Sequence, residues 1–170
     1  MVLTPRKIVD GHYEMWIPGE GTLNPGTGFL RPVSSTTLTN PATAIRAITV
    51  GAYDSLTFSY ADFSGRGPLT GESASAVKPD LVAPGVNVST ISVGGSVMQL
   101  QRTSFSTPFV TGSAALLMEW GIVRGNDSYL YGEKVKAYLR RGARSLPGIE
   151  KYPNEMVGYG RLCLAESIPD

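Results

Sequence analysis

One serine in this 170-residue chain stands where a hydroxyl could do covalent chemistry. Ser104 lies in the stretch Arg102-Thr103-Ser104-Phe105-Ser106-Thr107-Pro108-Phe109-Val110-Thr111-Gly112-Ser113-Ala114-Ala115-Leu116-Leu117-Met118. The second half of it reads as a buried helix. Val110, Ala114, Leu117 and Met118 recur at helical spacing, and Ala115 and Leu116 widen the apolar face. Pro108 fits if it falls in the first turn, where the amide it lacks has no partner. The helix is therefore predicted to start near Thr103 or Ser104, a hydroxyl pair suited to capping. Unpaired N–H groups and the positive end of the helix dipole converge there. They would stabilise the charge that develops on a carbonyl oxygen under attack. The same residue type and position also suit a plain N-cap, the far commoner role.

The elements around this helix must bring its start to a surface. Ala47-Ile48-Thr49-Val50-Gly51-Ala52-Tyr53 is short, apolar and β-branched, as expected of a parallel strand covered on both faces. Phe58 to Ala61 is a second, shorter strand candidate, followed by the loop Phe63-Ser64-Gly65-Arg66-Gly67-Pro68 and the small polar segment 69–76. Lys78-Pro79-Asp80-Leu81-Val82-Ala83-Pro84-Gly85 reads as a strand ending in a sharp turn. Residues 87–93 and 97–100 are predicted to form a hairpin around Gly94-Gly95-Ser96. Beyond the central helix, Asp127 or Ser128 could cap a second helix running to about Arg141. Val135, Tyr138 and Leu139 form its apolar stripe, Glu133 and Lys134 lie outward, and Gly142 stops it. Gly158-Tyr159-Gly160-Arg161-Leu162-Cys163-Leu164 closes the chain with a turn and a short element packed on the core.

Residues 1–38 differ in texture. Lys7-Ile8-Val9, the turn signal Asp10-Gly11 and the alternating run His12-Tyr13-Glu14-Met15-Trp16-Ile17 predict a hairpin. Pro18-Gly19-Glu20-Gly21 ends it. Thirty-odd residues of this kind do not make a stable sheet alone, so they are expected to pack on the remainder or on further chain. Trp16 and Tyr13 could stack on a sugar, although hydrophobic packing is the commoner use of such rings.

Composition bounds the rest. The length suffices for one domain with a real core. A formal charge of +1 leaves no basic stripe for nucleic acid. No apolar run is long enough to span a bilayer, and the N-terminus lacks the shape of a signal peptide. The single cysteine, Cys163, excludes an intrachain disulfide and a cysteine-rich zinc site. Asp54, Asp62 and Asp80 lack the spacing of a calcium loop, so no metal site and no cofactor is predicted.

The string Thr-Ser-x-Ser-Thr-Pro-x-Val-x-Gly-x-Ala-Ala-Leu-Leu resembles the nucleophile segment of the subtilisin-like serine peptidases, the subtilases. Ser104 falls on the nucleophile, Thr103 on the threonine before it, and Pro108 and Gly112 on paired landmarks. Arg102 stands at the family's glycine position. The resemblance extends through Val50-Gly51-Ala52, Phe63-Ser64-x-x-Gly67-Pro68, Lys78-Pro79-Asp80-Leu81-Val82-Ala83-Pro84-Gly85 and Gly158-Tyr159-Gly160, all in family order. Residues 1–38 are similar to the end of a β-sandwich insertion that some clostridial subtilases carry, including the spore-germination branch.

This resemblance implies an α/β fold in which residues 39–170 are the C-terminal half of a mostly parallel sheet flanked by helices, preceded by a β-hairpin region over 1–38. It implies a serine endopeptidase acting on peptide or protein through an acyl-enzyme on Ser104. The family's Asp-Ser/Thr-Gly and His-Gly-Thr-His segments and its oxyanion-hole asparagine lie upstream and are not in these residues. His12, the only histidine, is followed by Tyr13-Glu14 and does not fit the motif. The expectation is a fragment, nearly inert alone, whose partner is the missing N-terminal half of the catalytic domain. With that half absent, exposed apolar surface would favour a homodimer of the fragment. A secreted or spore- or cell-surface location goes with the resemblance. The alternative is an inactive subtilase-like binding or signalling module, motivated by Arg102.

Overall fold

The computed structural model describes residues 4, 6–11, 13–18, 22–67 and 77–169. His12, residues 19–21, Pro68 and the polar segment 69–76 therefore lie outside the described residues. Contacts divide the chain into two units, Met1–Val33 and Ser34–Asp170.

In the first unit the expected hairpin is not found: no strand occurs among its described residues. None of them is buried, and Leu23 alone is half-buried. Tyr13 and Trp16, which the alternation would place on opposite faces, are both exposed, and so is Val9. A period of two makes a strand only when one face gains burial, and here neither face does.

The second unit is built on two parallel strands, β1 (Val50–Tyr53) and β2 (Leu81–Pro84), with Val50 opposite Leu81 and Tyr53 opposite Pro84. Arg161 continues this sheet beyond β2 through bridges to Val82 and Arg144. Alternate residues of β2 feed two cores. Leu81 and Ala83 pack with Val110, Leu117, Leu130, Val135 and Leu139, whereas Val82 packs with Tyr53, Leu146 and Val157. The sheet is thus covered on both faces, which is why its strands read as continuous apolar runs. The expected strand at 58–61 reduces to one antiparallel bridge between Tyr53 and Tyr60. Strands β3 (Val88–Ile91) and β4 (Val97–Leu100) form the expected antiparallel hairpin. Gly95 at its turn has φ +79°, a left-handed conformation suited to glycine.

Helix α1 spans Thr103–Met118 and continues into a π-helical turn at Glu119–Val123. Its buried face is Ser106, Val110, Ser113 and Leu117, one step round from the expected Val110, Ala114, Leu117 and Met118. Leu116 and Met118 are exposed, so the helix is half-buried rather than buried. Small serines fill the inward positions because the strands approach closely there. Helix α2 (Gly132–Arg141) starts later than expected and has no side-chain cap. Asp127 pairs instead with Lys134 at 2.6 Å and accepts from the Tyr138 hydroxyl at 2.8 Å, bracing the helix from outside its start. Val135 and Leu139 are buried as expected, and so is Lys136. Helix α3 (Leu164–Ser167) closes the chain, with Cys163 half-buried before it.

Candidate active site

The start of α1 is fixed from below. Gly85, directly after β2, donates its N–H to the Tyr53 carbonyl at 3.0 Å, and its own carbonyl accepts from the Arg102 N–H at 3.0 Å. One residue thus ties the end of β1 to the entry of the helix. A side chain at Gly85 would strike the Ser106 hydroxyl and come within 2.6 Å of the Ala52 Cβ, so the close approach requires glycine. Arg102 is the N-cap residue, with φ 178° and ψ 164°. That is extended backbone open to any residue, so arginine carries no strain where the resembling family uses glycine.

No side chain caps the first turn of α1, and no acidic residue lies in it. The expected hydroxyl cap from Thr103 or Ser104 is absent, because both residues are already inside the helix. Ser104 is exposed, and its hydroxyl has no partner among the described residues. Pro108 falls in the second turn rather than the first. Lacking an N–H, it cannot make the helical bond back to the Ser104 carbonyl. In the first turn the Phe105 N–H donates to the Arg102 carbonyl at 3.1 Å, whereas the Thr103 and Ser104 N–H groups have no helical partner.

Thr103, Ser104 and Thr107 line a cavity of about 640 Å³, whose far walls include Leu38, Ile48 and Phe63. Residues 36–38 are held there by backbone bonds: the Thr36 and Thr37 N–H groups donate to the Gly67 and Arg66 carbonyls at 3.0 and 2.9 Å. This is the size and mixed lining of a site for a small organic group. A hydroxyl in its lining can attack a carbonyl once a base removes the proton, and helix amides beside it can stabilise the resulting oxyanion. Among the described residues no histidine lies near Ser104, and no group of three or more His, Cys, Asp or Glu side chains could hold a metal ion. No helix among them is long and apolar enough to cross a membrane.

Two features went unread in the sequence. The Ser106 hydroxyl is fully buried beneath Gly85 and makes no hydrogen bond among the described residues. An unpaired buried hydroxyl costs about 1–3 kcal/mol. Ser106→Ala should therefore raise stability by about 1 kcal/mol, seen as a melting-temperature gain of about 2–4 °C. A lower melting temperature would mean that the hydroxyl has a partner.

The second is a buried charge cluster under the same sheet. Asp80, with no exposed surface, accepts from the Thr49 N–H at 2.6 Å and from Lys78 Nζ at 2.9 Å. Lys136 Nζ lies 3.1 Å from its other oxygen, to which Arg140 Nε donates at 2.9 Å. The sequence signal was available: Lys136 and Arg140 are four apart on α2, hence on one face. Burial works to raise the Asp80 pKa. The bonds from Thr49, Lys78 and Arg140 outweigh it and hold the carboxyl below its usual range. Burial pushes the Lys136 ammonium down, with Asp80 opposing.

The profile of the Subtilase family, Peptidase S8, matches residues 26–160. The mouse membrane-bound transcription factor site-1 protease is 35% identical over 131 residues, covering 75% of this chain and 12% of its own length. Serine protease AprX of Bacillus subtilis is 28% identical over 155 residues, covering 79% of this chain and 32% of its own. Among solved structures, the Clostridium perfringens CspB protease superposes with a TM-score of 0.79 at 43% identity, covering 86% of this chain and 30% of that one. The chain thus spans a third or less of each of these relatives.

Proposed function

Because the chain belongs to the subtilase family, we propose that it carries the nucleophile of a serine endopeptidase and that this nucleophile is Ser104. The observation that carries the reading is the exposed Ser104 at the uncapped start of α1, in the lining of the cavity of about 640 Å³. A substrate side chain would enter the cavity and place the scissile carbonyl over the hydroxyl. Ser104 Oγ would bond to the carbonyl carbon while its proton passes to a histidine imidazole. The amides at the start of α1 would hold the oxyanion. The peptide C–N bond would then break, the amine leaving with that proton, and water would release the acyl group from Ser104.

The histidine and its orienting aspartate would come from polypeptide outside these 170 residues. The outer face of α1 suits such a partner. Phe109 and Leu116, seven residues apart and so on one flank, are 44% and 52% exposed there. Gly112, between them in the chain, has open space at its Cα, room for a close-packed element. Peptide or protein substrates follow from the activity, and residues 39–170 would be the C-terminal part of the catalytic domain.

A fluorophosphonate probe tests this. In the natural gene product the probe should attach to Ser104, located by peptide mass mapping. The same product with its histidine replaced should label far more slowly. Absence of labelling at Ser104 in an otherwise folded product would favour the inactive binding module instead.

A further inference from the structure

A second cavity, of about 430 Å³, is lined by Phe58, Ser145, Leu146, Pro147, Ile149 and Arg161. It shares no residue with the one beside Ser104. We propose that it binds the C-terminal carboxylate of a peptide whose last side chain is apolar.

The arginine is fixed before any ligand arrives. Its backbone N–H donates to the Arg144 carbonyl at 2.8 Å, and its carbonyl accepts from the Arg144 N–H at 2.9 Å. On either side of it, Val82 donates to the Gly160 carbonyl and accepts from the Leu162 N–H. The side chain is held too. Arg161 Nε donates to the Ser145 carbonyl at 3.2 Å, and the guanidinium carbon lies 5.1 Å from the centre of the Phe58 ring. Neither terminal nitrogen has a partner among the described residues. A planar guanidinium with both terminal nitrogens free matches a carboxylate side-on.

Phe58 is held at a cost. Its φ is +56°, in the left-handed region that side chains avoid. The turn imposes this: the Asp54 N–H donates to the Ser59 carbonyl at 2.9 Å, and the Thr57 and Ser59 hydroxyls bond at 2.8 Å. The ring then stacks on Tyr53, 6.3 Å between centres, and offers Arg161 its face. Strain of this kind marks places where a side chain is set for use.

Leu146, Pro147 and Ile149 supply the apolar wall. Leu146 is buried and anchored, its N–H donating to the Tyr152 hydroxyl at 2.7 Å. In a peptide's last residue a single Cα joins the carboxylate to its own side chain. Guanidinium and apolar wall share one small cavity, and that spacing suits a terminal residue better than an internal acid, whose neighbours would both need room.

The test uses the ¹⁵N-labelled natural gene product titrated with N-acetyl-leucine and, separately, N-acetyl-leucinamide at equal pH and salt. N-acetyl-leucine should shift amide signals of residues 58–59, 145–149 and 161 with a dissociation constant of about a millimolar. The amide, lacking the charge, should bind about ten-fold more weakly. Arg161→Lys keeps the charge but loses the fork and should weaken N-acetyl-leucine about five-fold. Phe58→Gly takes the left-handed turn freely and removes the platform, so it should fold and still bind more weakly. It carries the test if the arginine variant does not fold. Equal binding of the amide, shifts confined to the cavity beside Ser104, or no shift at about 50 mM would each overturn the proposal.

Discussion

Ser104→Ala should abolish peptide hydrolysis by the natural gene product while leaving its fold and substrate affinity intact. The expected fall in kcat is about 10⁶-fold, the magnitude known from removal of a subtilisin nucleophile. The loss is that large because base and carboxylate have nothing to activate once the hydroxyl is gone. KM should change little, since alanine removes a single oxygen from a cavity lining that many other residues share. The melting temperature should hold, because Ser104 is exposed, its hydroxyl makes no hydrogen bond among the described residues, and alanine favours the helix. Steady-state kinetics on a peptide substrate check the first point and a thermal melt the second. Turnover within ten-fold of the parent would remove Ser104 from the chemistry.

Asp80→Asn should unfold the second unit, or bring it close to unfolding. Asp80 is the carboxylate that Lys78, Lys136 and Arg140 share. Some of the excess positive charge rests on backbone dipoles: Lys78 donates to the Ala47 carbonyl at 2.6 Å, and Lys136 to those of Ile45 and Ala47 at 2.6 and 2.9 Å. Without the carboxylate three cations would face one another under the sheet. Breaking a buried pair costs about 3–5 kcal/mol, a large share of a domain's stability. A fall in melting temperature of about 10 °C is the expected reading. Lys136→Met should cost less, because Lys78 and Arg140 still balance the anion. A loss in Asp80→Asn no larger than in Lys136→Met would contradict this account.

The same cluster sets an acid limit. The folded Asp80 carboxyl has its pKa below the ordinary value near 4 of an unfolded chain. In the window between those values the unfolded state binds more protons, so stability rises with pH there. The contribution is complete above about pH 4 and is lost as pH falls through the folded value. The gap in stability between the parent and Asp80→Asn should therefore shrink on acidification below pH 4.

Local order along the chain was legible where one residue type could serve only one structural end. The parallel strand at Val50–Tyr53, the hairpin over 88–100 and the α1 start at Thr103 all follow from β-branched runs, a glycine turn and helical periodicity. Family membership was legible too, because landmark residues such as Lys78-Pro79-Asp80 and Gly158-Tyr159-Gly160 keep their order. What misled was periodicity without burial. The run 12–17 alternates as a strand should, yet its described residues, 13–17, are all exposed. On α1 the apolar residues Leu116 and Met118 point outward, while Ser106 and Ser113 take the interior.

By itself the sequence determined that this chain is subtilase-like α/β material with Ser104 at a helix start, since local sterics and motif order are carried by neighbouring residues. Only the tertiary structure decided that Asp80 would gather cations from α2, 56 and 60 residues away in sequence, or that Arg161 would meet the strained ring of Phe58. Such encounters depend on which strand lies beside which. That is set by the packing of whole faces, which no single stretch of residues encodes.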